Sequence, residues 1–334
     1  MVIGALGAGV LLLAAFIWIE LHVQEPMFQL QLFKIRMFAA GNTSSFLASV
    51  ARGGLQFMLV IWLQGIWLPL HGYNYDVAPL WAGIYMIPLM VGFLLMGPIS
   101  GWLSDRYGAR LFSTGGMLIQ AVCFYLLTIL PLNFDYMWFW PILFMLGIGQ
   151  GMFSSPNTSS IMGSVPPDQR GVASGMRATF QNSGTLVSIG VFFSLITAGL
   201  AATLGTTLFT GLINSGLPAV VAAKIAHLPP TSALFAAFLG YNPMASLIPD
   251  SVLQALPAAK QATLLGHSYF PNLISPPFAQ GLHNVFYLSA VMCLVAAFVS
   301  LMRGKQNHIS QEVVSKSGSV DTAKQQAAVT SDMD

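Results

Sequence analysis

The sequence predicts an all-α, polytopic membrane protein with about seven transmembrane helices. Three observations predict it. Of 334 residues, 55% are hydrophobic and only 7% are charged, whereas roughly a quarter of a soluble globule is charged. Apolar runs of about 20 residues, the length that crosses a bilayer, recur along the chain. Basic residues cluster at alternate ends of those runs.

The runs are 2–20, 38–63, 79–100, 111–131, 138–161, 172–198 and 282–302. The first, VIGALGAGVLLLAAFIWIE, imitates a secretory signal. It lacks a basic leading region and ends in Trp18 and Glu20 rather than small residues, so it is read as a true helix. Residues 1–20 form this extra transmembrane helix and 21–37 a cytoplasmic linker. Residues 38–302 supply six core spans, and 303–334 a polar, aromatic-poor tail expected to be disordered in the cytoplasm.

Lys34, Arg36, Arg106, Arg110, Arg170, Arg303 and Lys305 follow the odd-numbered spans. The alternate connections, LPLHGYNYDVAP and LNFDYMW, carry no Lys or Arg. Seven basic residues against none put the first set in the cytoplasm. The N-terminus is then outside and the C-terminus inside, in the cell membrane. The stretch 200–280 is read as an external, partly helical segment. Its run TSALFAAFLGYNPMASLI is apolar enough for an eighth span, but Gly240-Tyr241-Asn242-Pro243 interrupts it, and proline is costly inside a helix.

Between the second and third core runs lies GWLSDRYGAR, which packs Asp105, Arg106 and Arg110 among Gly101 and Gly108. Glycines permit a tight turn at the membrane surface. An ordinary positive-inside loop needs neither the acid nor that glycine spacing. The stretch resembles the G-x-x-x-D-R-x-G-R/K-R/K signature of the major facilitator superfamily, with Ala109 where a basic residue is usual. GIGQGMFSSPNTSSIMGSVPPDQRGVASGMRATFQNSG and WLQGIWLPLHGYNYDVAPLWAGIYMIP resemble the C-terminal half of fourteen-helix drug:proton antiporters. The resemblance covers nearly all of 1–302. It implies alternating-access transport of small molecules, with efflux of amphipathic or cationic compounds and a proton as coupling ion. It implies a cytoplasmic gate at Gly101, Asp105, Arg106, Gly108 and Arg110. Because a helix start is partly positive with unpaired N–H groups, Asp105 is expected to latch near the start of the fifth core helix, the alternative being a basic loop anchored at headgroups. It also implies that the chain is one six-helix half plus one helix, whose partner is a missing N-terminal half. A truncated or split subunit, inactive alone, is the alternative.

Polar residues inside spans are expensive and mark function. In the first core span Ser45, Ser49, Arg52 and Gln56 step by four, three and four residues, which makes one stripe on a helix. Arg52 lies about fifteen residues in, roughly 22 Å along the axis; the other reading is an arginine bonded to carbonyls at a break beside Gly53-Gly54. The fourth core span offers Gly147, Gln150, Ser154 and Asn157 or Thr158. The glycines there serve helix packing, and Gln150, Ser154 and Asn157 are the pathway candidates. The fifth repeats the spacing with Arg177, Gln181, Gly184 and Ser188. Arg177, about 9 Å from the cytoplasmic start, either snorkels to the surface, pairs at a gate or meets substrate. The sixth span is almost uniformly apolar.

No Asp or Glu lies within a core span, so a coupling carboxylate would come from the missing half. His283, at the outer start of the last span, is a weak substitute. Cys123 and Cys293 lack CxxC or Cys/His spacing and read as core residues, with no metal or other cofactor. A net charge of +2 without a basic run gives no case for nucleic acid. No HExxH, GxSxG or paired carboxylates suggest an enzyme, and no catalytic residue is assigned. The partners expected are the lipid bilayer and a small-molecule substrate.

Overall fold

A computed structural model of the chain describes residues 2–23, 28–239 and 241–303. The expected tail beyond Arg303, with Lys305, and part of the linker lie outside the described residues. Helix α1 (Val2–His22) is 21 residues long. The backbone amide of Phe28 donates to the Glu20 carboxylate, and a 3₁₀ turn at Leu30–Lys34 buries Leu32 against Phe38.

Among the described residues, six helices are long and apolar enough to cross a membrane: α2 (Arg36–Leu70), α3 (Ala78–Tyr107), α4 (Ala109–Ile129), α5 (Tyr136–Gly163), α6 (Arg170–Asn214) and a last helix, Tyr269–Leu301. Five short helices fill 219–265: α7 (Ala219–Ala226), α8 (Pro230–Leu239), α9 (Met244–Leu247), α10 (Asp250–Ala255) and α11 (Ala258–Leu265). The last helix is therefore α12. α3 packs on α5, α5 on α4, α4 on α12, α12 on α6 and α6 on α2, and α2 also touches α5 and α12.

Several joints follow from single residues. Gly108, at φ +89°, is the whole connection between α3 and α4, a conformation only glycine adopts readily. Asp135 caps α5 by accepting from the Met137 amide at 3.0 Å, one of the orphan donors of a helix start. α3 is interrupted at Met86, two residues before Pro88, which lacks the amide a straight helix would use. Glycines let α5 lie against both neighbours. A Cβ on Gly147 would sit 2.1 Å from the Leu89 carbonyl oxygen, and one on Gly149 would sit 2.8 Å from that of Gly116.

The ends of two spans differ from the sequence expectation. α6 runs 45 residues, to Asn214 rather than 198, and α12 begins at Tyr269 rather than 282. The reason is a second packing stripe: Phe192, Ile196, Leu200, Leu204, Leu208 and Leu212 recur every four residues and are buried. Gly199 lies against Gly281, and Ser215 Oγ and Tyr269 Oη share a hydrogen bond at 2.7 Å. At 1.5 Å per residue α6 is roughly 68 Å long, more than twice a hydrocarbon core of about 30 Å. Within 200–280 only the central part breaks into short helices. α7 and α8 meet at 85°, and α8 seats Ala237 against Gly65 of α2, with Gln64 Nε2 donating to the Phe238 carbonyl at 2.8 Å. Trp62 and Trp67 donate indole N–H groups to the Leu132 and Phe134 carbonyls at that end.

Candidate functional site

The break that positions the site is at Gly53-Gly54. α2 interrupts there because both glycines press on α6: a Cβ on Gly53 would meet Thr185 Cα at 2.7 Å, and one on Gly54 would meet the Phe192 ring. The Gly54 amide, freed by the break, donates to Ser188 Oγ at 2.9 Å. Gly184 makes the same close approach one turn lower, against the Phe46 carbonyl and Ser49. Tight α2–α6 contact brings side chains of both helices to one level.

At that level lies a cavity of about 300 Å³. Ser49, Arg52 and Gln56 enter it from α2, Gln150 from α5, and Gln181 and Thr185 from α6. Met86, Leu89, Met90 and Phe93 of α3 form its apolar wall. The Arg52 Nη1 atom is buried with no hydrogen-bond partner, so the guanidinium is not spent on the helix break beside it. Arg177 is half-buried one turn below and donates from Nη1 to Gln181 Oε1 at 3.3 Å. Five pathway candidates, Ser49, Arg52, Gln56, Gln150 and Gln181, thus share one cavity, with Arg177 beside it.

Three candidates go elsewhere. Asn157 Nδ2 donates to Ser45 Oγ at 2.7 Å and to the Gly41 carbonyl at 3.2 Å. Its Oδ1 accepts from Arg303 Nη2. Ser45 and Asn157 therefore fasten α2 and α5 to the end of α12. Ser154 lines a separate groove between α3 and α5 with Gly97, Ser155 and Thr158. His283 lies well inside α12, not at the start of a span. Arg303 is only 3% exposed rather than solvated at headgroups, and burial pushes its guanidinium down to about 10. Arg36 Nε donates to the Met302 carbonyl at 2.9 Å, which ties the start of α2 to the end of α12.

In the charged turn, Asp105, Arg106 and Arg110 are all exposed. Arg106 lies over the Trp102 ring at 5.1 Å, and Gly101 sits against Ser155. Asp105 is exposed in the last turn of α3, and among the described residues its carboxylate makes no hydrogen bond. Sequence reasoning missed Thr185 and the methionine-lined wall. Thr185 stands one turn beyond Gln181, on the stripe already recognised.

Comparison with known proteins bears on this site. The Major Facilitator Superfamily model matches residues 1–189. The chain is 29% identical over 196 residues to the methyl viologen resistance protein SmvA of Salmonella typhimurium, covering 59% of this chain and 38% of that protein. It is 24% identical over 307 residues to the multidrug transporter protein MdtP of Bacillus subtilis, covering 90% and 52%. It is 25% identical over 308 residues to the tetracenomycin C resistance and export protein of Streptomyces glaucescens, covering 91% and 51%. The chain spans about half the length, or less, of these relatives.

Proposed function

Because the chain belongs to the major facilitator superfamily, we propose that it supplies one half of an alternating-access pathway for efflux of amphipathic small molecules. Membrane transport is the function class of the family, and transport rather than catalysis is what it points to. The observation that carries the finer reading is the convergence of Ser49, Arg52, Gln56, Gln150 and Gln181 on one cavity bordered by methionines and Phe93. Polar side chains are costly at membrane depth and concentrate where a pathway runs. Methionine adapts its shape to varied apolar ligands.

In this reading the pathway lies between this six-helix unit and a second one, as substrate sites do in transporters built from repeats. The cell membrane holds the unit with its basic ends and C-terminus in the cytoplasm. Any proton-coupling carboxylate belongs to the second unit, since no Asp or Glu lies in the core spans. Asp105, exposed at the α3–α4 turn, is free to meet a helix start of that unit. The relatives' names point to methyl viologen, multiple drugs and tetracenomycin C, so chemical breadth carries over better than any one compound.

Proteoliposomes containing the full chain, given a pH gradient, test the reading with ethidium and fluorescein as dyes. Flux of either dye that Arg52→Ala reduces at least tenfold is the expected result. Flux indifferent to Arg52→Ala would remove this cavity from the pathway. The second reading is a unit that transports only beside a second six-helix unit, and the lack of Asp or Glu in the core spans favours it. It predicts no dye flux from the chain alone.

A further inference from the structure

We propose that the Arg52 cavity binds anionic amphipaths: a carboxylate on Arg52, with the apolar body against Met86, Met90 and Phe93. The inference deepens the pathway reading above and rests on it for the claim that the bound compound is cargo.

Charge is the first ground. Arg52 Nη1 is buried and makes no hydrogen bond. A guanidinium N–H group shut from water without an acceptor is held at a cost, and an entering anion recovers that cost. The alternative use, bonding to backbone carbonyls at the break in α2, is not made: Arg52 Nη1 stays unpaired beside them. No lining residue is acidic. The nearest other cation, Arg177, adds positive potential through its contact with Gln181. A cationic compound would meet two arginines and no carboxylate here.

Donor arrangement is the second ground. Arg177 occupies Gln181 Oε1, which leaves the Gln181 amide N–H groups as donors at the cavity. Gln150 and Ser49 face the same space from two other helices. A guanidinium fork with flanking amide and hydroxyl donors suits a planar carboxylate, which accepts through two oxygens. Opposite them the wall is apolar, so the site divides a ligand into a charged head and a greasy body. A volume of about 300 Å³ is at the small end of ligand pockets, a size for a fused bicyclic ring rather than a large drug.

Equilibrium dialysis of the full chain in nanodiscs tests this with 1-naphthoate and 1-naphthylmethylammonium, which share one ring system and differ in charge. Naphthoate is expected to bind saturably and at least tenfold more tightly than the ammonium compound. Arg52→Gln should weaken naphthoate tenfold or more, and Arg52→Lys should recover part of that, since it keeps charge but loses the fork. A measurement on the unaltered protein covers the chance that these variants misfold. Phenylglyoxal modification, read by mass spectrometry, should be slowed by naphthoate at Arg52 and unchanged at exposed Arg106. Equal or tighter binding of the ammonium compound, no binding of naphthoate, or unprotected Arg52 overturns the proposal. Naphthoate binding at Arg52 together with dye flux that Arg52→Ala leaves unchanged would sink the pathway reading and leave this site standing. Flux without Arg52-dependent binding would do the reverse.

Discussion

Arg303 is buried whole, whereas Arg52 is half-buried with only its Nη1 shut from water. Arg303 has found an acceptor in Asn157 Oδ1, with its Nε and Nη1 left unpaired; Arg52 waits at a cavity. The two substitutions at the Asn157 knot should therefore be unequal. Asn157→Ala strands a buried cation and should cost about 2–3 kcal/mol. Arg303→Met removes the cation itself, leaves one neutral acceptor unpaired, and should stay within about 1 kcal/mol of the parent protein. Reversible unfolding in SDS measures both, and equal losses would contradict the assignment. The pH dependence has a defined sign. Burial pushes Arg303 down to about 10, so the folded protein sheds this proton before the unfolded chain does. The burial cost is present in full below about pH 10 and is relieved as pH rises above it, a gain that Arg303→Met abolishes. None of this was legible in the sequence. Spacing places Ser45, Ser49, Arg52 and Gln56 on one stripe, but it cannot say that the stripe leaves the cavity two turns below Arg52 and enters a packed contact with α5.

Among the helices, glycine marks contacts more than flexibility. α5 is wedged between α3 and α4, and Gly147 permits the α3 backbone to approach where a methyl group would collide with a carbonyl oxygen. Gly147→Ala should lower stability by about 1–3 kcal/mol, the range for overpacking a tight interface. Gly97→Ala, at a glycine with open space around it, should be neutral or slightly stabilising. Thermal unfolding in detergent compares the two, and an equal effect would show that the wedge can relax. Here much was legible. The GIGQG glycines announce packing by their type, and the Gly101–Gly108 spacing announces the tight α3–α4 turn. The ends of α6 and α12 were not legible, because hydropathy reads the membrane and not a partner helix. Beyond residue 198 the stripe continues in leucine while threonine and glycine dilute the average, so the run looks finished when the helix is not.

At the scale of the whole molecule the apolar surface is divided unequally. α3 shows a broad hydrophobic face, with Leu94 71% exposed and Trp102 60% exposed. α4 turns an exposed row of Leu111, Leu118, Val122, Tyr125 and Ile129 outward while packing its other side on α5 and α12. Such faces suit lipid on one side and a second helical unit on the other. The composition made the membrane class legible at once. Which residues meet across helices was not, since that depends on how the break at Gly53-Gly54 docks α2 on α6.

The claim on which the account turns is that the Arg52 cavity, and not the neighbouring groove at Ser154, receives the transported compound. Cysteines introduced singly as Gln150→Cys and Ser154→Cys separate the two, because both lie on α5 and the native Cys123 and Cys293 are buried. Reaction with N-ethylmaleimide is followed in proteoliposomes, with and without an excess of the dye they take up. The account predicts that the dye slows labelling at position 150 at least tenfold and leaves position 154 unchanged. Protection at 154 with none at 150 would contradict it.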